Sequence, residues 1–292
     1  MMMNQKKIDF VFFGTPEIAV HALEELENAG FLPNLVVTMP EKAQGRGLEF
    51  AASPVALWGQ QHGIEILSPE KIDGPFLYRL QEKAYDVFIV VAYGKILPRV
   101  LLDIPKHGVL NLHPSLLPRL RGPSPIRSAI LTDEKETGVT IMQLDEKMDH
   151  GPILVQKKIL ATPWPPHAID LEETLAREGG QLLAQVLPEW VAGKVDAQLQ
   201  DDTKATYCTK IEKKDGEIDI VKGAARENLL KIRGLEGWPG TFTFFERGGQ
   251  RIRVGIIDAH IENDALVIDL VKPEGKKEMP YKEFQNSGAK PV

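Results

Sequence analysis

The sequence predicts an α/β fold: a Rossmann-like doubly wound, mostly parallel sheet followed by a small OB-like β-barrel domain. Three observations carry this reading. Over the first two-thirds, near-continuous apolar runs alternate with amphipathic stretches, the pattern of strands buried on both faces and the helices that cover them. A polar stretch, KVDAQLQDDTKATYCTKIEKKDG, then interrupts the series. Beyond it the apolar runs are short, β-rich and separated by turn residues, as in a small barrel. The expected division is residues 1–193 for the first domain, 194–209 for a linker and 210–292 for the second.

The elements follow in order. IDFVFFG reads as a buried parallel strand. Thr15 suits the N-cap of the next helix, Pro16 its first turn, and Gly30 the end of EIAVHALEELENAG. NLVVT continues the sheet, and the polar, glycine-bearing MPEKAQGRGLEF is expected to be a mobile loop before a helix starting near Ser53. IEIL, DVFIVVAY and VLNLH supply further strands, and GVTIMQLD another, followed by the loop EKMDHG. DLEETLAREGGQLLAQVLPEWVAG closes the first domain as a helix. In the second, TFTFFE, QRIRVGIIDAHI and ALVIDLV read as strands, with Arg247-Gly248-Gly249 as a turn. The terminal stretch KKEMPYKEFQNSGAK leaves the last barrel strand short or absent. A sheet of this kind invites a dinucleotide, but FFGTPE has one glycine where the pyrophosphate fingerprint needs G-x-G-x-x-G. A nicotinamide oxidoreductase is thereby disfavoured.

Composition sets outer bounds. With 292 residues, 43% apolar and 26% charged, the chain is an ordinary globular sequence long enough for two domains. It has no apolar run of about 18 residues, so no membrane span is expected. Lys6 and Lys7 run straight into the first strand without the apolar stretch of a signal peptide, which makes the cytoplasm the expected location. A lone cysteine, Cys208, excludes an internal disulfide and a thiolate zinc cluster. The seven histidines lack ligand spacing, so no metal is expected.

The informative segment runs from Asn111 to Gly151. In VLNLH, side chains two apart share a face, which puts Asn111 and His113 together, and Pro114 ends the strand. Asp149 follows a strand on a loop, where open α/β sheets place their ligand crevice. An amide, an imidazole and a carboxylate suit acyl transfer to an amine. The amide N–H and a protonated imidazole can stabilise the oxyanion, and the carboxylate can orient the imidazole or move protons. Taken singly, an Asn-x-His pair also fits a turn or a satisfied surface group, and Asp149 fits a turn former. The Pro- and Gly-rich SLLPRLRGPSPI between them has little helical or strand logic, which favours a binding loop.

VFFGTPEIAVHALEEL, the QGRG before SPV, DVFIVVAYGKILP, NLHPSLLPRLRGPSPI, TGVTIMQLDEKMDHGPIL, ATYCTKIEKKDGEID and GWPGTF together resemble the formyltetrahydrofolate-dependent formyltransferase family nearly end to end. The resemblance implies that Asn111, His113 and Asp149 match the catalytic trio. It implies that Ser115, Leu116, Leu117 and Pro118 line a folate site, with Ile96, Leu97, Asp145 and Met148 near the pterin. It further implies formyl transfer from 10-formyltetrahydrofolate to the α-amino group of methionyl-initiator tRNA, with an OB-like second domain and Arg46 in the loop that enters the acceptor end.

Two departures stand out. Leu48, Glu49 and Phe50 follow the GRG where relatives often carry lysines, which removes phosphate contacts, and His150 replaces a small residue beside Asp149. Charge is uneven: from Lys204 onward 16 Lys+Arg face 14 Asp+Glu, net +2, whereas the preceding part carries 19 and 27, net −8. Clusters such as Lys210, Lys213 and Lys214, or Arg251 and Arg253, are ordinarily solvated faces; with an OB-like pattern they favour phosphate contact. A monomer is expected. The alternatives are a sugar-nucleotide N-formyltransferase, which would lack the QGRG loop and GWPGTF, and formyltetrahydrofolate deformylase, a hydrolase that usually carries a regulatory domain ahead of the first strand.

Overall fold

A computed structural model describes residues 7–44 and 49–292; Arg46 lies outside them. The strands are β1 (Phe10–Gly14), β2 (Leu35–Val37), β3 (Lys42–Gln44), β4 (Glu49–Ala51), β5 (Glu65–Leu67), β6 (Val87–Val91), β7 (Val109–His113), β8 (Glu136–Gln143) and β9 (Ile153–Leu160), then β10 (Thr241–Arg247), β11 (Gln250–Glu262), β12 (Ala265–Pro273), β13 (Met279–Pro280) and β14 (Lys290–Pro291). The helices are α1 (Glu17–Asn28), α2 (Pro54–Gln61), α3 (Gly74–Gln81), α4 (Arg99–Leu102), α5 (Pro125–Leu131), α6 (Ala168–Val191), α7 (Ala225–Gly234) and α8 (Tyr281–Gln285). The chain divides into two compact units, one of Met1–Arg121, Gly138–Ile159 and Glu173–Thr206, the other of Gly122–Thr137, Leu160–Glu172 and Tyr207–Val292.

The first unit holds a seven-stranded sheet in the order β5-β2-β1-β6-β7-β8-β9. Pairing is parallel from β5 to β7 and turns antiparallel between β7 and β8. From β1 the chain winds outward to β2 and β5, then crosses back to β6 beside β1, so the strand order reverses there and a crevice opens at the carboxyl ends. All five residues of β1, β6 and β7 are buried, because helices cover both faces. On one face Val11, Phe13, Leu35, Val37, Phe88, Val90 and Val109 form a core with Phe76, Leu80, Leu101 and Leu102 of α3 and α4. Each such side chain contributes about 1.5–3 kcal/mol by leaving water. On the other face glycines let helices approach: a Cβ on Gly59 of α2 would meet Val36 at 2.9 Å, and one on Gly179 of α6 would meet Leu112 at 2.7 Å.

Local chemistry explains the boundaries. Ser53 caps α2 by accepting from Ala56 N at 3.1 Å, with Pro54 at the first position, and Asp73 caps α3 through Phe76 N at 3.3 Å. Gly30, at φ +86°, closes the end of α1. The expected Thr15 cap does not form. Pro16 is the N-cap and makes no side-chain bond, while the Thr15 hydroxyl donates to Tyr93 O at 3.1 Å and accepts from Met39 N at 3.3 Å, tying the ends of three strands together. The single glycine of FFGTPE is a packing residue: a Cβ on Gly14 would sit 2.7 Å from Phe12, 2.8 Å from Ala19 and 3.0 Å from Val91 O. The stretch read as an irregular loop contains a short hairpin, β3 paired antiparallel with β4.

The second unit contains a five-stranded antiparallel sheet in the order β13-β12-β11-β10-β14. Its core gathers Ile232, Phe245, Val254, Ile256, Val271 and Phe284. In the same unit Asp133, at φ +56°, accepts from Trp164 Nε1 at 2.6 Å and from Arg226 through Nη2 at 2.6 Å and Nε at 3.2 Å. The Arg226 guanidinium holds the Asp133 carboxyl below its usual range. A depressed carboxylate stabilises the fold above its unfolded value of about 3.9 and loses that contribution as pH falls through the lower folded value. Asp133→Asn keeps a residue that tolerates positive φ and an acceptor for Trp164. It should cost up to about 1 kcal/mol at pH 7, given the partial exposure of the pair. Denaturant titration should show the gap to the parent closing below about pH 3.9.

Candidate active site

Strand β7 builds the centre of the site. Asn111 pairs in register with Val90 of β6 and Met142 of β8, and His113 with Thr140. The two share a face with Val109, opposite the Leu110 and Leu112 side, and both are buried. The Asn111 carboxamide has no hydrogen-bond partner among the described residues, so its polar atoms remain available to a ligand.

His113 is held more tightly. Its Nε2 lies 3.0 Å from Leu120 O. A carbonyl only accepts, so Nε2 carries the proton and donates, which leaves Nδ1 as the basic nitrogen. That nitrogen faces Asp149 Oδ1 at 3.6 Å, an ion-pair separation rather than a hydrogen bond. Protonation at Nδ1 would therefore place the new charge against a carboxylate. Leu120 adopts φ +57° and Asp149 φ +49°, so both groups that face the imidazole sit on backbone in the left-handed region, which is strained for Leu120 and tolerated by an aspartate.

The turn after β7 is stitched to β8 and β9. Thr140 Oγ1 donates to Ser115 O at 2.6 Å and accepts from Leu117 N at 3.2 Å. Gln156 Nε2 donates to Leu117 O and to Thr140 Oγ1, both at 2.8 Å. The Ser115 hydroxyl donates to Arg119 O at 2.6 Å. Of the residues expected at a folate site, Ser115 and Leu117 are buried in this turn, Leu116 and Pro118 half-buried, and Leu97 buried in the core of the α3 face. Ile96 is 92% and Met148 55% exposed. Asp145 binds the loop to itself, accepting from Lys147 N at 2.9 Å and pairing with His150 Nδ1 at 2.6 Å. His150 also faces Asp202 at 3.4 Å through Nε2; its ring bridges two carboxylates flanking the loop. Lys210 and Lys213 are exposed in the second unit. Cys208 is buried, its Sγ accepting from Ser124 N at 3.3 Å. Among the described residues no group of His, Cys, Asp or Glu could hold a metal, and no helix is long and apolar enough to cross a membrane.

Sequence reasoning missed Leu120, Thr140, Gln156, Arg121 and Gln200. The first acts through its backbone, and the others are isolated polar residues whose partners lie far along the chain.

The arrangement has known counterparts. Residues 6–187 match the formyl transferase family. The chain belongs to that family. It is 37% identical to a methionyl-tRNA formyltransferase of Caldanaerobacter subterraneus subsp. tengcongensis, over 94% of this chain and 95% of the relative. A methionyl-tRNA formyltransferase of Nitrosomonas eutropha is 40% identical over 80% of this chain and 73% of the relative. Among solved structures, an N-formyltransferase from Helicobacter canadensis, in complex with folinic acid and dTDP-3-aminofucose, superposes with a TM-score of 0.65 at 20% identity, covering 88% of each chain. Methionyl-tRNA formyltransferase from Clostridium thermocellum gives 0.60 at 15% identity, over 91% of this chain and 98% of that one. At such identities these structures speak to the fold alone.

Within this formyltransferase, Gly151 has a steric duty. A Cβ there would lie 1.9 Å from Gln143 O, so no side chain fits while the Asp149 loop returns past the end of β8. Gly151→Ala should shift the loop and, with it, Asp149. With the catalytic role that the resemblance implies for Asp149, a misplacement on the order of 1 Å costs up to about 100-fold in rate, and formyl-transfer kcat should fall about tenfold or more. Steady-state kinetics at saturating substrates check this.

Proposed function

We propose that the protein transfers the formyl group of 10-formyltetrahydrofolate to the α-amino group of methionyl-initiator tRNA, for translation initiation. The observation that carries this reading is the pair of buried residues Asn111 and His113 on one face of β7, with Asp149 facing the imidazole, in a chain whose methionyl-tRNA formyltransferase relatives align over most of its length.

The geometry suggests a division of roles. The amine nitrogen attacks the formyl carbon, and the carbonyl oxygen becomes an oxyanion that accepts from the Asn111 carboxamide. The surplus proton of the attacking nitrogen passes to His113 Nδ1, whose charge Asp149 balances. The same proton is delivered to N10 of the folate as the carbon–nitrogen bond breaks, so the enzyme returns to its starting state. No covalent enzyme intermediate is needed.

In this reading Ser115, Leu116, Leu117 and Pro118 line the folate, with Ile96, Leu97, Asp145 and Met148 near the pterin. Residues 1–193 carry the chemistry and 210–292 form an OB-like barrel that contacts tRNA through Lys210 and Lys213, with Arg46 addressing the acceptor end. On the second sheet Arg251 lies over the Phe244 ring at 3.7 Å and Arg253 over Phe242 at 3.8 Å. Such stacked guanidinium groups keep their charge in place for phosphate. The protein acts as a cytoplasmic monomer without a metal.

The decisive assay supplies 10-formyltetrahydrofolate with methionyl-initiator tRNA, with uncharged tRNA, or with no acceptor. Formyl-methionyl product with the charged tRNA alone is expected. Folate deformylation without an acceptor would indicate a hydrolase, and silence in all three would point to a sugar nucleotide. Asn111→Ala and His113→Ala should each lower kcat by roughly 100-fold or more with folate binding retained. Near-parent turnover in either variant would remove that residue from the mechanism. Arg46→Ala should raise the KM for tRNA and leave folate KM unchanged.

A further inference from the structure

Residues 198–206 lie within the stretch whose polar composition reads as a linker, yet contacts from both of its ends reach the two loops that face His113. Gln198 and Ile153 exchange both backbone hydrogen bonds at 2.8 Å. Gln200 Nε2 donates to Asp149 O at 2.9 Å and to Gly151 O at 2.8 Å. Thr206 Oγ1 accepts from Leu120 N at 2.9 Å, Thr206 O accepts from Arg121 N at 2.9 Å, and Thr206 N donates to Pro118 O at 3.2 Å. One end of the segment therefore holds the Asp149 loop, and the other holds the residue whose carbonyl receives the His113 proton.

We infer that residues 198–206 form a strap that positions the His113–Asp149 pair, with Gln200 as its principal positioning residue; the inference rests on the catalytic roles proposed above. The orientation of the Gln200 amide is over-determined. Its oxygen accepts from Arg121 Nε at 3.0 Å and Nη2 at 2.8 Å, while its nitrogen serves the two loop carbonyls. A flipped amide would set acceptor against acceptor and donor against donor. Arg121 is 1% exposed, so it is fixed by packing, and its charge is met by Asp202 Oδ1 at 2.8 Å. Asp202 in turn faces His150 from across the loop.

The two carbonyls that Gln200 grips flank His150, one of them on Asp149 itself. Asp149 sits at φ +49°, a sparsely populated conformation that an aspartate tolerates and that its surroundings select here. The Gln200 amide and the space filled by Gly151 are two such constraints. Because the grip is on backbone, Gln200 acts on the Asp149 side chain through the main chain that carries it.

The experiment uses the full chain and Gln200→Glu, a near-isosteric change that keeps the Arg121 contact but replaces the donor facing Asp149 O and Gly151 O with an acceptor. Formyl transfer to methionyl-initiator tRNA should show kcat reduced at least about tenfold, with the KM values for folate and tRNA within about twofold of the parent and the enzyme still folded at the assay temperature. In an Asp149→Asn background the same change should cost less than about twofold, since Gln200 acts through Asp149. Thr206→Val, which removes the acceptor for Leu120 N, should also lower kcat without moving KM, and it decides alone if Gln200→Glu does not fold. Parent-like kcat in a folded Gln200→Glu enzyme, full additivity with Asp149→Asn, or KM values that rise as far as kcat falls would each overturn the strap. An inactive parent chain would instead overturn the transferase reading.

Discussion

The contact on which the site depends is the hydrogen bond from His113 Nε2 to Leu120 O. It fixes the tautomer, and thereby the ring nitrogen left for proton transfer. It also sets the ring plane so that Nδ1 faces Asp149. A carbonyl can be delivered there only because the SLLPRL turn doubles back, with Leu120 in the left-handed region. The Thr140 and Gln156 side chains, which tie the turn to the antiparallel edge of the sheet, supply the stabilisation that such a backbone requires.

The sheet explains why this can happen at the end of β7. Parallel strands put their carboxyl ends on one side, and reversal of strand order opens a crevice there. Beyond β7 the sheet turns antiparallel, so β8 brings Thr140 alongside His113 and then leads to the loop carrying Asp149. Two strands adjacent in space, running opposite ways, thus contribute the imidazole and the carboxylate. Covering both faces with helices excludes water from β7 and leaves the pair only slightly exposed, which strengthens its electrostatics.

Much of this is written in local sequence. Alternation along VLNLH predicts the shared face of Asn111 and His113, and the apolar runs predict the mostly parallel sheet, because both depend on a period carried by neighbouring residues. Ser53 before Pro54 reads as a helix start and is one. What depends on distant partners is silent. Thr15 looks like a cap, but its hydroxyl is drawn to Tyr93 O and Met39 N, which only the assembled sheet supplies. The β3–β4 hairpin is hidden by a polar, glycine-bearing composition. Gln200 and Arg121 carry no pattern at all, since an amide 51 residues from Asp149 and a buried guanidinium in RLRG acquire meaning only once the loops meet. Backbone groups such as Leu120 O leave no mark on the side-chain code.

The central claim is therefore about one proton. Nitrogen-15 NMR of imidazole-labelled protein, with His113 assigned through His113→Gln, reads the tautomer directly at a pH where the ring is neutral. The account predicts a protonated Nε2 and a bare Nδ1. A proton on Nδ1 in the neutral ring would mean that Leu120 O does not hold the imidazole, and would contradict the arrangement on which the proposed mechanism stands.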